Sequence, residues 1–242
     1  MKKTIVITGA SRGIGKAIAI ELAGKGTNIV INCVNNVDKL NEVRSIIEEK
    51  GSVCETFIGD MGNYSDVQKM FDMCLQCFGQ VDVLINNAGI SVVGLFQDMG
   101  EDEWHRICNT NIDSVFNCCH FAVKDMMKRH CGKIINISSV WGLYGASCEV
   151  AYSATKGAVN SFTKALAKEL APSGIQVNAV ACGAIDTEMN GHLSDFDKAE
   201  LAEEIPAGRF GTPQEVAELV KSLSGINNYL TGQIITLDGG WI

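Results

Sequence analysis

The chain has 242 residues, 46% of them hydrophobic and 20% charged, with a net charge of −8. Such a length and composition suit one α/β domain with an ordinary core and surface, and the acidic balance argues against a nucleic-acid binder, since Lys128-Arg129-His130 is the longest basic stretch. The apolar run before Gly9 is too short for a signal peptide or a membrane span, and the ten cysteines and four histidines follow no disulfide-scaffold or metal-ligand spacing, so a cytoplasmic protein with reduced, mostly buried thiols and no metal is expected.

The first predicted strand, Thr4–Thr8 ("TIVIT"), is apolar enough to be buried on both faces. It leads into "TGASRGIG", where Gly9, Gly13 and Gly15 open a predicted helix over 13–25. Glycine allows a sharp turn and close approach of a ligand, and the helix N-terminus behind it offers N–H donors and a positive dipole end to a pyrophosphate. The spacing is G-x-x-x-G-x-G rather than G-x-G-x-x-G, but the place between strand and helix is the context that dinucleotide binding requires.

The second strand, Asn28–Asn32, continues as Cys33-Val34-Asn35-Asn36, with no acid before Asp38. An NAD-preferring site carries Asp or Glu there for the ribose 2′-hydroxyl, whereas the guanidinium of Arg12 suits a 2′-phosphate. NADP(H) is therefore the expected cofactor, and Asp38 is read as the cap of the next helix, 38–50.

Further along, strands are predicted at Val53–Ile58, Val81–Ile85, Lys133–Ser138, Gln176–Ala181 and Gln233–Leu237, with helices at 65–77, 101–129, 151–171 and 213–224. This alternation predicts one domain over 1–242, a doubly wound Rossmann-type α/β fold with seven parallel strands and right-handed crossovers. A polar, acidic stretch at about 186–205 interrupts the pattern and reads as a substrate or lid loop. In the 151–171 helix, Tyr152 and Lys156 project from one face about one turn apart. A phenol of ordinary pKa near 10 is a poor proton donor at neutral pH, and a neighbouring ammonium is expected to lower it, with desolvation opposing.

"TGASRGIG", "NNAG" at 86–89, "ISS" at 137–139, "YSATK" at 152–156 and the closing "TGQIITLDGGWI" resemble a classical short-chain dehydrogenase/reductase from end to end. "PAGRFGTPQEVA" at 206–217 is similar to the 3-oxoacyl-[acyl-carrier-protein] reductases of that family. The resemblance implies NADPH-dependent reduction of a ketone, preferably a 3-oxoacyl thioester on acyl carrier protein or CoA. Tyr152 would donate the proton, Lys156 would tune it and bind the nicotinamide ribose, Ser139 would orient the substrate oxygen, and Asn111 would hold a relay water. It further implies cofactor contacts from Gly9, Ser11, Arg12, Gly13, Ile14 and Gly15, and from Asn32, Asp60 and Met61, with Asp60 at the adenine. Asn86, Asn87, Ala88 and Gly89 would border the crevice. Gly183, Ile185 and Thr187 would meet the nicotinamide end, in a turn where Cys182 replaces the family's proline.

The same resemblance implies a homotetramer, a dimer of dimers in which the helices at 101–129 and 151–171 pair across two-fold axes. An acidic carrier protein would dock on basic residues near the active-site mouth. Lys128-Arg129-His130 supplies half of that patch, and Pro172-Ser173 supplies no cation to the other half. Candidate pocket residues are Ser91, Val93, Leu95, Trp141, Leu143, Tyr144 and Met189. Two alternatives stand beside this reading: a reductase of another ketone (a hydroxysteroid, a small diketone or a protein-bound ketone), and a non-catalytic dinucleotide sensor, which ought to have lost Tyr152 or Lys156.

Overall fold

The computed structural model describes residues 2–242 apart from His192 and Ile226. Its strands are β1 (Lys3–Ile7), β2 (Thr27–Cys33), β3 (Val53–Ile58), β4 (Val83–Asn86), β5 (Gly132–Ser139), β6 (Ile175–Cys182) and β7 (Ile234–Leu237). The helices are α1 (Gly13–Leu22), α2 (Val37–Glu49), α3 (Tyr64–Phe78), α4 (Glu101–Cys108), α5 (Ser114–Arg129), α6 (Trp141–Tyr144), α7 (Val150–Leu170), α8 (Asp195–Glu204) and α9 (Pro213–Leu223). The strands form one sheet in the order β3-β2-β1-β4-β5-β6-β7, parallel at every pairing, as helical crossovers require. The predicted seven-stranded doubly wound sheet is the one observed.

Side chains alternate across this sheet and build a core on each face. Ile5, Ile7, Ile29 and Ile31 pack with Ile18 of α1, Leu40 of α2 and Val220 of α9. Val6, Val30 and Leu84 pack with Met70 of α3, Cys118 of α5 and Val159 of α7. All ten cysteines are free thiols and six of them are buried. No helix among the described residues is long and apolar enough to cross a membrane.

Four expectations are corrected. The predicted 101–129 helix spans that range but is not α-helical throughout: Asn109–Asp113 form a π turn between α4 and α5, in which the Ser114 N–H reaches back to the Asn109 carbonyl. The first helix ends at Leu22, short of residue 25, where Gly24 and Gly26 give the chain its turn into β2. Asp38 lies in the first turn of α2 and the cap position is Asn36. The polar stretch at 186–205 holds a helix of its own, α8, started by a reciprocal capping box between Ser194 and Asp197. No α8 residue is buried, which is why its sequence lacks the apolar period that marks a packed helix. His192, inside that stretch, lies outside the described residues.

Candidate active site

β1 is flanked by β2 on one side and β4 on the other, so the connections leaving the carboxyl ends of β1 and β4 diverge and open a crevice. Hydrogen bonds fix its width. Thr8 Oγ1 accepts from the N–H groups of Asn87 and Ala88, both at 3.0 Å. Asn87 Nδ2 donates to the carbonyls of Thr8 at 2.9 Å and Gly9 at 3.0 Å. Gly9 has φ +64, and a Cβ on Gly15 would stand 2.4 Å from both Gly9 O and Asn87 Nδ2. Only glycine lets the loop close on itself here.

The cap position of α1, Arg12, makes no side-chain cap, leaving the first-turn N–H groups of Gly13, Ile14 and Gly15 to face the crevice. Ser11 is buried and Ile14 packs on the core, holding the loop's shape from behind. On the far wall, Thr187 Cγ2 would lie 3.6 Å from a Cβ on Gly13. Gly183 donates its N–H to Leu237 O at 2.9 Å, and the buried Ile185 bridges to Gly211. A cradle that a Cβ would fill, closed by uncapped helical N–H groups, fits a dinucleotide pyrophosphate.

Several residues expected to touch the cofactor have side chains that also engage the frame. Asn32 is buried, with Nδ2 donating to Phe57 O at 3.2 Å and Gly59 O at 3.0 Å and Oδ1 accepting from Gly9 N at 3.4 Å. Its side chain ties three strand ends together rather than reaching outward. Asn86 faces the interior, where a polar chain runs from its Nδ2 to Asn136 Oδ1 and from Asn136 Nδ2 to Thr163 Oγ1, each at 2.8 Å. The Asp60 carboxylate accepts from Gly62 N at 2.8 Å and Asn109 Nδ2 at 3.3 Å, a turn-forming role. Met61 is a core side chain whose carbonyl takes the Asn117 amide at 3.0 Å.

Ser139 closes β5, and Tyr152 and Lys156 share one face of α7. Lys156 is 5% exposed, its Nζ donating to Ile137 O at 2.8 Å and lying 5.6 Å from the Tyr152 ring centroid. Asn111, fully buried in the π turn, accepts from Ile90 N at 2.8 Å and donates to Ile90 O at 2.9 Å and Thr155 Oγ1 at 3.1 Å. A Cβ on Gly89 would lie 3.4 Å from both Asn111 Oδ1 and Lys156 Nζ, so these groups meet around the bare backbone of residue 89. The π turn supplies the extra residue that aims Asn111 inward.

Burial pushes the Tyr152 phenol above its ordinary value; a hydrogen bond to Ser139 pulls it back, while Cys182 and Glu149 add to the rise. The lowering expected from Lys156 is not found: burial dominates, and the group that pulls the phenol down is Ser139. Burial pulls Lys156 down to about 8, with Cys182 opposing. Near pH 7 the phenol therefore holds its proton and the amine keeps its charge. Burial also pushes the Cys182 thiol up to about 12, against the pull of Lys156, which leaves a weak nucleophile.

Three contributors escaped the sequence reading. Thr8 bolts β1 to β4, as described. Gly142 lets α6 seat on α7, since a Cβ there would stand 2.6 Å from the Lys156 carbonyl carbon. Glu149, three residues ahead of Tyr152, is hydrogen-bonded by Ser91 and so joins the segment after β4 to the start of α7; Gly94 N donating to Cys148 O at 2.8 Å reinforces the join. Around this mouth Val93, Leu95, Leu143, Tyr144 and Met189 are exposed. Trp141 is not a free wall, because it packs edge-on against Trp241 with ring centroids 4.9 Å apart.

Within one chain the basic stretch at 128–130 lies at the opposite end of β5 from this mouth. Arg129 is engaged by Asp82 at 2.9 Å and Asp125 at 2.8 Å. It precedes β5, whose eight residues put about 23 Å between its start and Ser139. A cavity of about 550 Å³ lined by Lys3, His130 and Lys133 also lies at that opposite edge.

A family model described as short chain dehydrogenase matches residues 3–198. The 3-oxoacyl-[acyl-carrier-protein] reductase FabG of Staphylococcus epidermidis is 40% identical over 241 residues, 99% of each chain. An uncharacterized oxidoreductase of Bacillus subtilis, YmfI, is 39% identical over 243 residues, covering 100% of this chain and 99% of its own. Among solved structures, a doubly mutated short-chain dehydrogenase/reductase of Serratia marcescens superimposes with a TM-score of 0.92 at 30% identity, covering 99% of this chain and 97% of that one.

Proposed function

The chain belongs to the short-chain dehydrogenases, oxidoreductases acting on CH–OH and C=O groups, and within that family we propose that it is an NADPH-dependent reductase of a 3-oxoacyl thioester. The observation that carries the reading is the meeting of Asn111 and Lys156 at Gly89, with Tyr152 beside Lys156 and hydrogen-bonded to Ser139, next to a crevice shaped for a dinucleotide. The likeness to FabG reductases supports the acyl substrate.

The nicotinamide cofactor, when bound, supplies a hydride to the carbonyl carbon. Ser139 and Tyr152 donate hydrogen bonds to the carbonyl oxygen, and Tyr152 gives up its proton as charge develops there. The buried Lys156 ammonium then stabilises the phenolate. Asn111, held rigid by Ile90 and Thr155, keeps the relay behind Lys156 in place for reprotonation.

A second reading, a free apolar ketone, draws on the exposed apolar rim of Val93, Leu95 and Tyr144 and on the engagement of Arg129 by carboxylates. For assembly, the proposal is a cytoplasmic homotetramer. Its support is a shallow groove of about 400 Å³ on the α5 and α7 surface, lined by Phe116, Val123, Phe162 and Leu166 among others. A light-scattering mass of one 26.0 kDa chain would overturn that assembly.

The deciding experiment is steady-state NADPH oxidation with carrier-bound and CoA-bound acetoacetyl thioesters beside a panel of bulky ketones. Tyr152→Phe is expected to lower kcat about 10³-fold while NADPH still binds, and near-normal turnover would remove Tyr152 from the acid role. Preference for a bulky ketone over both thioesters would replace the first reading by the second.

A further inference from the structure

Arg12 and Lys39 converge on one carboxylate. Arg12 Nη1 lies 3.0 Å from Glu188 Oε2, and Lys39 Nζ lies 3.0 Å from Glu188 Oε1. The three groups come from separate segments: the loop between β1 and α1, the first turn of α2, and the short turn Glu188–Asn190 after β6. They meet beyond the end of β2, where the Asn32 side chain is drawn inward and the sequence offers no acid to a ribose 2′-hydroxyl. Each carboxylate oxygen takes one cation, which together hold the Glu188 carboxyl below its ordinary value.

We infer that Arg12 and Lys39 form a two-cation clamp for the 2′-phosphate of the cofactor, and that Glu188 is a tethered competitor for the same clamp. This rests on the NADPH reading above. A phosphate monoester brings a charge of about −1.5 to −2 and three acceptor oxygens, against one charge and two oxygens on the carboxylate. It therefore matches two cations better than Glu188 does, and takes them by exchange. Because Thr187 faces Gly13 across the crevice, the exchange frees the near end of the 187–204 excursion only when the cofactor carries the extra phosphate. Glu188 thereby sets the margin between NADPH and NADH, and Lys39 is a specificity-determining residue beside Arg12.

The test is calorimetric titration with adenosine 2′,5′-bisphosphate and with ADP, which need no turnover, followed by NADPH and NADH. Exposed ion pairs are individually weak, so Glu188→Gln is expected to tighten the bisphosphate and NADPH about threefold to tenfold, leaving ADP and NADH unchanged. Glu188→Asp keeps the charge but shortens the reach, and is expected to behave as Glu188→Gln does. A wild-type preference in Glu188→Asp would mean that only the field of the charge matters and would overturn the tethered exchange. Lys39→Ala is expected to weaken NADPH selectively, as is Arg12→Ala. Equal losses of NADPH and NADH in both would sink the phosphate assignment itself, whereas selective losses there beside an inert Glu188→Gln would sink the competition alone.

Discussion

The crevice between β1 and β4 and the excursion from 187 to 204 face one another, yet they are built from opposite materials. The crevice is closed by short side chains on backbone: the Thr8 hydroxyl and the Asn87 amide join Thr8, Gly9, Asn87 and Ala88 through four hydrogen bonds between 2.9 and 3.0 Å, and its clearances are too small for a methyl group at Gly15. The excursion is held at its base by Ile185 against Gly211 and by the buried Ile205. Beyond that, exposed ion pairs reach out from it, Glu188 with Arg12 and Lys39, and Lys198 with Asp186 at 3.7 Å. The crevice's geometry is thus inherited from the cooperative core, while the excursion can open at little cost to global stability.

The contrast breaks hardest at Gly15. Gly15→Ala forces a Cβ into Gly9 O, so the loop must open; overpacking of this kind costs about 1–3 kcal/mol, and nucleotide affinity is expected to fall about 100-fold, or about 2.7 kcal/mol. Fluorescence titration with NADPH measures it, and near-normal affinity would show that the crevice is as yielding as the excursion. Thr8→Val keeps the shape but strips the acceptor from two part-buried N–H groups, an expected loss of about 1–2 kcal/mol in denaturant unfolding. An unchanged midpoint would mean that the bolt between β1 and β4 carries no stability.

These residues also show what the sequence could convey. Strand and helix order was legible because parallel strands buried on both faces leave near-continuous apolar runs, as in Thr4–Thr8 and Val81–Ile85. The glycine loop and the Tyr152/Lys156 spacing were legible because each chemistry demands a residue type at a fixed offset. Thr8 and Gly142 were not, because their roles depend on segments about 80 and 14 positions away. Asn32 was expected at the cofactor only through the family resemblance, and Asn86 only at the crevice, neither of which says where a side chain bonds. The fold instead spends them on its own carbonyls and amides. The π turn has no propensity signature, and α8 lacks the apolar stripe by which helices are read.

A smaller effect separates the regions by pH. With Lys156 at about 8, the ammonium that supports Tyr152 is lost above that pH, and kcat for reduction is expected to fall about tenfold per unit beyond it. The stability sign runs the other way. The unfolded chain holds this proton up to about 10.4, so between pH 8 and that value it binds more protons than the native state. The penalty for burying the charge therefore fades, and the contribution of Lys156 to stability rises with pH through that window. The Glu188→Gln variant, acting in the excursion, is expected to leave the alkaline limb in place, and a shifted limb would tie the excursion to the Lys156 environment.

The smallest expected effect is the most diagnostic. Ser194 accepts from Asp197 N at 3.2 Å and the Asp197 carboxylate returns to Ser194 N at 3.0 Å, so Ser194→Ala removes half of the box that starts α8. A lost N-cap weakens a helix by about 1 kcal/mol. Were α8 part of the cooperative core, that amount would lower Tm by about 2–4 °C in a chain of this size. Because no α8 residue is buried, the helix can fray without exposing core, and the prediction is faster amide exchange across 195–204 with an unchanged calorimetric Tm. A matching drop in Tm would place α8 within the global unfolding unit, and the division between a rigid crevice and an independent excursion would have to be abandoned.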